Sequence, residues 1–108
     1  MIIKRRTRAL KNHDQVLEIL TKFAKKLDYT IEVFDDQNLP TMNETMLLFY
    51  RARFILAPHG AGLANIIFSQ PGTLVFEVLC PLHMRASLGR LAVRLGMRYF
   101  ATISSTPP

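Results

Sequence analysis

Short apolar runs alternate along this chain with stretches in which apolar residues return at every third or fourth position. The clearest case lies between Phe54 and Val78. Phe54-Ile55-Leu56-Ala57 reads as a buried strand, and Pro58, which has no N–H to give to a ladder, stops it. His59-Gly60-Ala61-Gly62 makes a turn of small residues. Leu63, Ile66 and Ile67 then follow at helical spacing, which predicts a short helix over 60–69. Pro71-Gly72 is a turn, and Thr73 to Val78 is a second buried strand. Units of this kind are almost always right-handed, with their two strands parallel.

The same alternation extends in both directions. Met1 to Lys4 is a short strand, and Arg5 to Lys11 is the connection after it. Asn12, with Gln15 three residues on, comes close to a capping box. Val16, Leu20, Phe23, Ala24 and Leu27 form the apolar stripe of an amphipathic helix, with Lys22, Lys25 and Lys26 on its wet face. Ile31 to Phe34 is the second strand, and Asp35 to Asn38 is a polar loop. Thr41-Met42-Asn43-Glu44 matches the capping box and starts a helix predicted to carry Met46, Leu47, Phe49 and Tyr50 inward; the third strand begins near Arg53. Beyond the fourth strand, Cys80-Pro81 is a break. Met84, Leu88, Leu91, Ala92 and Leu95 recur at helical spacing, and Gly96 suits the position just past that helix. Met97 to Ala101 is the last strand.

Five strands alternating with helices predict an α/β fold: a Rossmann-like three-layer domain over residues 1–103, its parallel sheet covered on both faces. A two-layer α+β fold is the alternative. Residues 104–108 form a polar tail, or a cut through a longer chain. In open sheets of this class ligands bind beyond the carboxyl ends of the strands, where strand order reverses. With the order 2-1-3-4-5 the reversal falls between the first and third strands. The basic connection Arg5 to Lys11 then faces the glycine turn across one crevice.

Composition narrows the partners. The chain has 108 residues, enough for one core, and at 49% hydrophobic it is not a disordered segment. The single cysteine, Cys80, excludes an internal disulfide and a cysteine-based zinc site. The three histidines are too scattered for a metal site, and no pair of carboxylates has the placement of a glycosidase. His13 and His83 begin helices and carry no assigned chemistry. The net charge of +6 favours anionic partners. Lys4, Arg5, Arg6, Arg8 and Lys11 crowd the beginning, whereas Arg90 and Arg94 fit the solvated face of a helix. Glycines at 60 and 62 let the backbone come close to a bound group, and the N–H donors of the helix that follows suit a phosphate. Tight packing alone also explains such a glycine pair.

These residues carry a resemblance. Pro58-His59-Gly60-Ala61-Gly62-Leu63-Ala64-Asn65, then Phe68, Pro71-Gly72-Thr73 and Glu77, are similar to the C-terminal half of glycosyltransferase family 61. The family pattern is PHGAGL-x-N, a Phe shortly after, a PG turn and an apolar strand ending in Glu. Arg8-Ala9-Leu10-Lys11-Asn12 resembles the family's R-x-[IL]-x-N segment before a helix. The resemblance implies an inverting GT-B enzyme, built from two Rossmann-like domains with the nucleotide sugar held by the C-terminal one. It implies no metal and no cofactor, with a UDP-sugar as donor and a glycan or glycoprotein as acceptor. The sugar would be xylose, arabinose or N-acetylglucosamine. It also implies a partner N-terminal half, bringing much of the acceptor site and the general base. A eukaryotic member would sit in the Golgi or endoplasmic reticulum lumen, a bacterial one in the cytoplasm.

Roles follow from that chemistry. Without a metal, fixed cations and N–H donors must stabilise the departing diphosphate. Arg8, with Arg5 or Arg6 as a second clamp, has the planar fork for it. A basic loop in water is the bland alternative. The backbone of Gly60, Ala61 and Gly62 would approach the phosphate or the sugar. His59 is the candidate catalytic residue, neutralising the leaving group or binding the donor, or else simply capping the turn. Asn65 binds donor hydroxyls or braces the loop. Glu77 suits ribose hydroxyls, or partners a nearby Arg or helix N-terminus. A different class of function, a non-catalytic module binding nucleotide or RNA through the basic end, lacks the interleaved aromatics of a stacking surface, and no nucleic-acid partner is expected. A remnant that keeps only the fold is the third reading.

Overall fold

The computed structural model describes residues 1–4, 12–35, 37–58, 61–79 and 87–103. Its elements are β1 (Ile2–Lys4), α1 (His13–Lys26), β2 (Val33–Asp35), α2 (Met42–Arg51), β3 (Phe54–Pro58), a 3-10 helix (Ala61–Phe68), β4 (Leu74–Leu79), α3 (Ser87–Arg94) and β5 (Arg98–Ile103). All five strands are parallel, in the order β2-β1-β3-β4-β5. This is the α/β Rossmann-like architecture expected from the alternation. Pro58 does not precede the strand's end but forms it, still in register with Val78.

The core lies on one face of the sheet. Ile3, Phe34, Ile55, Ala57 and Val75 project from the strands to meet Phe49 of α2, Leu63 and Ile66 of the 3-10 helix, and Ala92 beside α3 residues Leu88 and Leu91. Phe34 and Phe49 pack edge to face, with ring centroids 5.4 Å apart. Successive strand residues point to opposite faces, so the buried Ile2 and Leu56 belong to the other side. The chain runs from β1 to β2 in the opposite sense to its later crossovers, and a right-handed connection therefore places α1 on that side.

That second face is thinly covered. No residue of α1 is fully buried. Phe23 is 58% exposed and Leu27 stands open beside it, so two of the five predicted stripe residues do not pack inward; Val16, Leu20 and Ala24 are half-buried. The helix is short of apolar residues on its sheet-facing side, and its other apolar stripe, Ile19-Phe23-Leu27, is displaced round the barrel of the helix. Asn12 makes no side-chain cap, and the expected capping box does not form there. At α2 it does: Thr41 Oγ1 accepts from the Glu44 N–H at 3.2 Å. The inward residues of α2 are Thr45, Leu48 and Phe49, whereas Met46, Leu47 and Tyr50 are exposed, because the buried arc is narrower than the run of apolar residues.

The short helix expected after the glycine turn is 3-10, over Ala61–Phe68. Its burial repeats every third residue: Leu63 and Ile66 are buried, Ala64 and Ile67 exposed, Asn65 and Phe68 half-buried. Ile67 therefore faces out. At ~2.0 Å per residue its eight residues span roughly 16 Å, the length of the five-residue β3, whereas an α-helix of that many residues would fall short at ~12 Å. The segment returns the chain to the start of β4. There Thr73 N–H donates to Gln70 O across Pro71-Gly72, and Gly72 takes the positive φ of 88° that a type II turn demands at that position.

Candidate functional site

The ligand edge of the sheet can be located from register. Ile2 lies opposite Leu56, so Lys4 and Pro58, the last residues of β1 and β3, finish level with each other. Strand order reverses between these two strands, since β2 lies outside β1 and β4 beyond β3. Lys4 and Pro58 thus end their strands about 5 Å apart, the ordinary spacing of paired strands. This is the crevice position expected from the strand order. Arg5, Arg6, Arg8, His59 and Gly60 themselves lie outside the described residues, as do Lys11, Asp36, Cys80, His83, Met84, Arg85 and the 104–108 tail.

Three candidates are described. Ala61 and Gly62 open the 3-10 helix that packs over the core. Asn65 is half-buried one turn further on. Glu77 had been expected at the end of its strand, but β4 runs on to Leu79, so it sits two residues inside. It pairs in register with Ala57 of β3 on one side and Ala101 of β5 on the other. Its row also holds Phe34 and Ile3, so it points to the helix-covered face, and none of its surface is exposed.

Glu77 Oε1 accepts a hydrogen bond from the Tyr99 hydroxyl. Tyr99 stands in β5 opposite Val75, two residues down and on the same face as Glu77. Burial, and after it the hydrogen bond to Glu77 and the charge of that carboxylate, pushes the Tyr99 phenol well above its ordinary value. Sequence reasoning left Glu77 either to ribose hydroxyls or to an Arg or helix N-terminus; the structure adds Tyr99, which it had missed. The one available signal was Gly89, a glycine in the middle of the apolar pattern of α3, which makes room for the Tyr99 ring. Among the described residues no group of three or more His, Cys, Asp or Glu could hold a metal ion, and no helix is long and apolar enough to cross a membrane.

The family model Glycosyltransferase 61 matches residues 1–76. The chain belongs to glycosyltransferase family 61. A comparison with curated proteins finds no match. The family 61 match runs from β1 through the glycine turn into β4, and so takes in the residues that follow both β1 and β3 in sequence. Membership makes this a glycosyltransferase chain, with a transferase role. The match stops one residue before Glu77; α3, β5 and with them Gly89 and Tyr99 lie beyond it.

Proposed function

We propose that this family 61 chain is the donor-binding half of an inverting, GT-B-type glycosyltransferase. It holds a UDP-sugar whose xylose, arabinose or N-acetylglucosamine passes to a protein-linked or polysaccharide glycan. The observation that carries this reading is the strand-order reversal between β1 and β3, where a chain segment rich in arginine and one rich in glycine start side by side.

Breaking the glycosidic bond leaves charge on the diphosphate, and the chemistry needs donors fixed where that charge appears. In this reading Arg8 is the main clamp, with Arg5 or Arg6 as the second, and the backbone of Gly60 to Gly62 approaches the phosphate or sugar. His59 neutralises the leaving group or hydrogen-bonds the donor. The arginines take the place that a divalent cation holds in metal-dependent transferases, and no metal is invoked. The general base on the acceptor comes from a second, N-terminal domain.

Titration calorimetry with UDP tests the donor reading. Arg8→Ala is expected to weaken binding about tenfold or more, the loss of a charge-assisted contact. Equal affinities for wild type and variant remove Arg8 from the site. Amide shifts spread over all basic residues and falling steeply with salt, in place of shifts at 59–62, would point to a nucleic-acid partner.

A further inference from the structure

Tyr99 has no place in the donor chemistry above, yet it holds a carboxylate at the root of the proposed site. Glu77 lies beside Ala57, two residues ahead of His59 on the neighbouring strand. A buried carboxylate is tolerable only when hydrogen-bonded, and a Glu side chain has several rotatable bonds to fix. Its neighbours along the row, Ala57 and Ala101, are too short to do so. The Tyr99 hydroxyl supplies a donor from two residues away along β5. The Tyr99 ring is seated in turn. A Cβ on Gly89 would come within 2.8 Å of Tyr99 Cε1 and 3.0 Å of Cζ, so α3 can lie on the ring only because residue 89 is glycine. Glycine inside a helix weakens it, and the contact with Tyr99 gives it a reason to be there.

We propose that Tyr99 and Glu77 form a positioning pair for the donor site: the Tyr99 phenol, seated under Gly89, fixes the Glu77 carboxylate beneath the point where β3 passes into the glycine turn. The pair works from below the ligand and touches no reacting atom. Glu77 stands level with Ala57, one residue short of Pro58, the last residue of β3. The inference rests on the donor-site reading.

The 108-residue chain, titrated with UDP by calorimetry, tests it. Tyr99→Phe keeps the ring and loses only the hydroxyl. It is expected to remain folded by circular dichroism and to bind UDP about tenfold more weakly, the scale of one hydrogen bond to a charged group. Glu77→Gln should lose a similar factor, and the double variant no more than either alone, because the two act as one unit. Thr73→Ala, which removes the hydroxyl bonds to Ala52 O and Gln70 O just before β4, at the sheet edge opposite the strand-order reversal, serves as the control: it lowers stability and leaves UDP affinity unchanged. A purely structural role would make Tyr99→Phe behave like Thr73→Ala. Wild-type binding with an unchanged Tyr99→Phe, or additive losses in the double variant, overturns the pair and leaves the donor reading standing. A wild-type chain that binds no UDP overturns the donor reading and reduces the pair to a strut of the core.

Discussion

Tyr99 keeps its proton to a higher pH in the folded chain than in the unfolded one, and this has a consequence for stability. The free phenol titrates at 10.0, and burial, with Glu77 behind it, moves the folded value upward. Above about pH 10 the unfolded chain binds fewer protons than the folded one, so this contribution to stability falls as pH rises; below that it is present in full. The stability difference between wild type and Tyr99→Phe in urea unfolding should therefore be smaller at about pH 11 than at about pH 8. Lysines and the other tyrosines titrate in both proteins and cancel in the comparison. A difference that stays constant across that range means the phenol is not held as described. At this scale the sequence was least informative. Glu77 was legible as a polar residue in an apolar strand, but its partner is on another strand, and only the register of β4 with β5 brings the two together.

Elements were more legible than residues, and the reasons for the exceptions are local. All five strands fall where the apolar runs are, within a residue or two; the inner strands β3 and β4 are buried or half-buried along their length, whereas of the edge strands β5 is mostly exposed and β2 fully buries Phe34 alone. Helix faces were read less well. An apolar stripe says which way a helix prefers to turn, and how much of that stripe finds a partner depends on the layer opposite. α1 illustrates it: Phe23 and Leu27 fit the periodicity and yet stand open on the thin side of the sheet. The two helix ends show the same contrast in their caps. α3 closes with Gly96 at φ 77°, the Gly96 N–H on Val93 O at 3.1 Å and the Met97 N–H on Ala92 O at 2.9 Å, a Schellman motif whose apolar contact, Met97 with Ala92, lies in the core. α1 closes the same way, with Tyr29 N–H on Ala24 O at 2.8 Å, but places Asp28 at φ 60°, where a side chain is disfavoured. Asp28→Gly should relieve that strain and stabilise the chain by up to about 1 kcal/mol, less what glycine costs in unfolded-state entropy. A thermal melt in which Asp28→Gly unfolds at or below the wild-type temperature would show the motif to be unstrained.

The described residues form one sheet with one edge where strand order reverses, and that bears on whether these 108 residues transfer sugar by themselves. Fold class was legible from the alternation; the reversal between β1 and β3 was legible only on the condition that the strand order is 2-1-3-4-5, which the sheet has. What the edge can do is a separate matter. Inverting transfer needs a leaving-group clamp and, on the other side of the sugar, a base within reach of the acceptor hydroxyl. The described carboxylates near the edge are committed elsewhere. Asp35, at the end of β2, accepts the Gln37 N–H at 3.0 Å and shapes its own turn, and Glu77 is buried against Tyr99. His59 follows Pro58 in sequence and is assigned to the donor in the function proposed above. The expected outcome is that the purified 108-residue chain binds UDP yet transfers no labelled sugar from UDP-xylose or UDP-N-acetylglucosamine to a glycan acceptor. Adding a domain that brings an acceptor-side base should restore turnover. The two halves of this expectation separate cleanly, because the clamp is read by calorimetry and the base by product. Labelled product formed by the chain alone would mean that a base lies within this single sheet and its loops, and His59 would be the first residue to substitute.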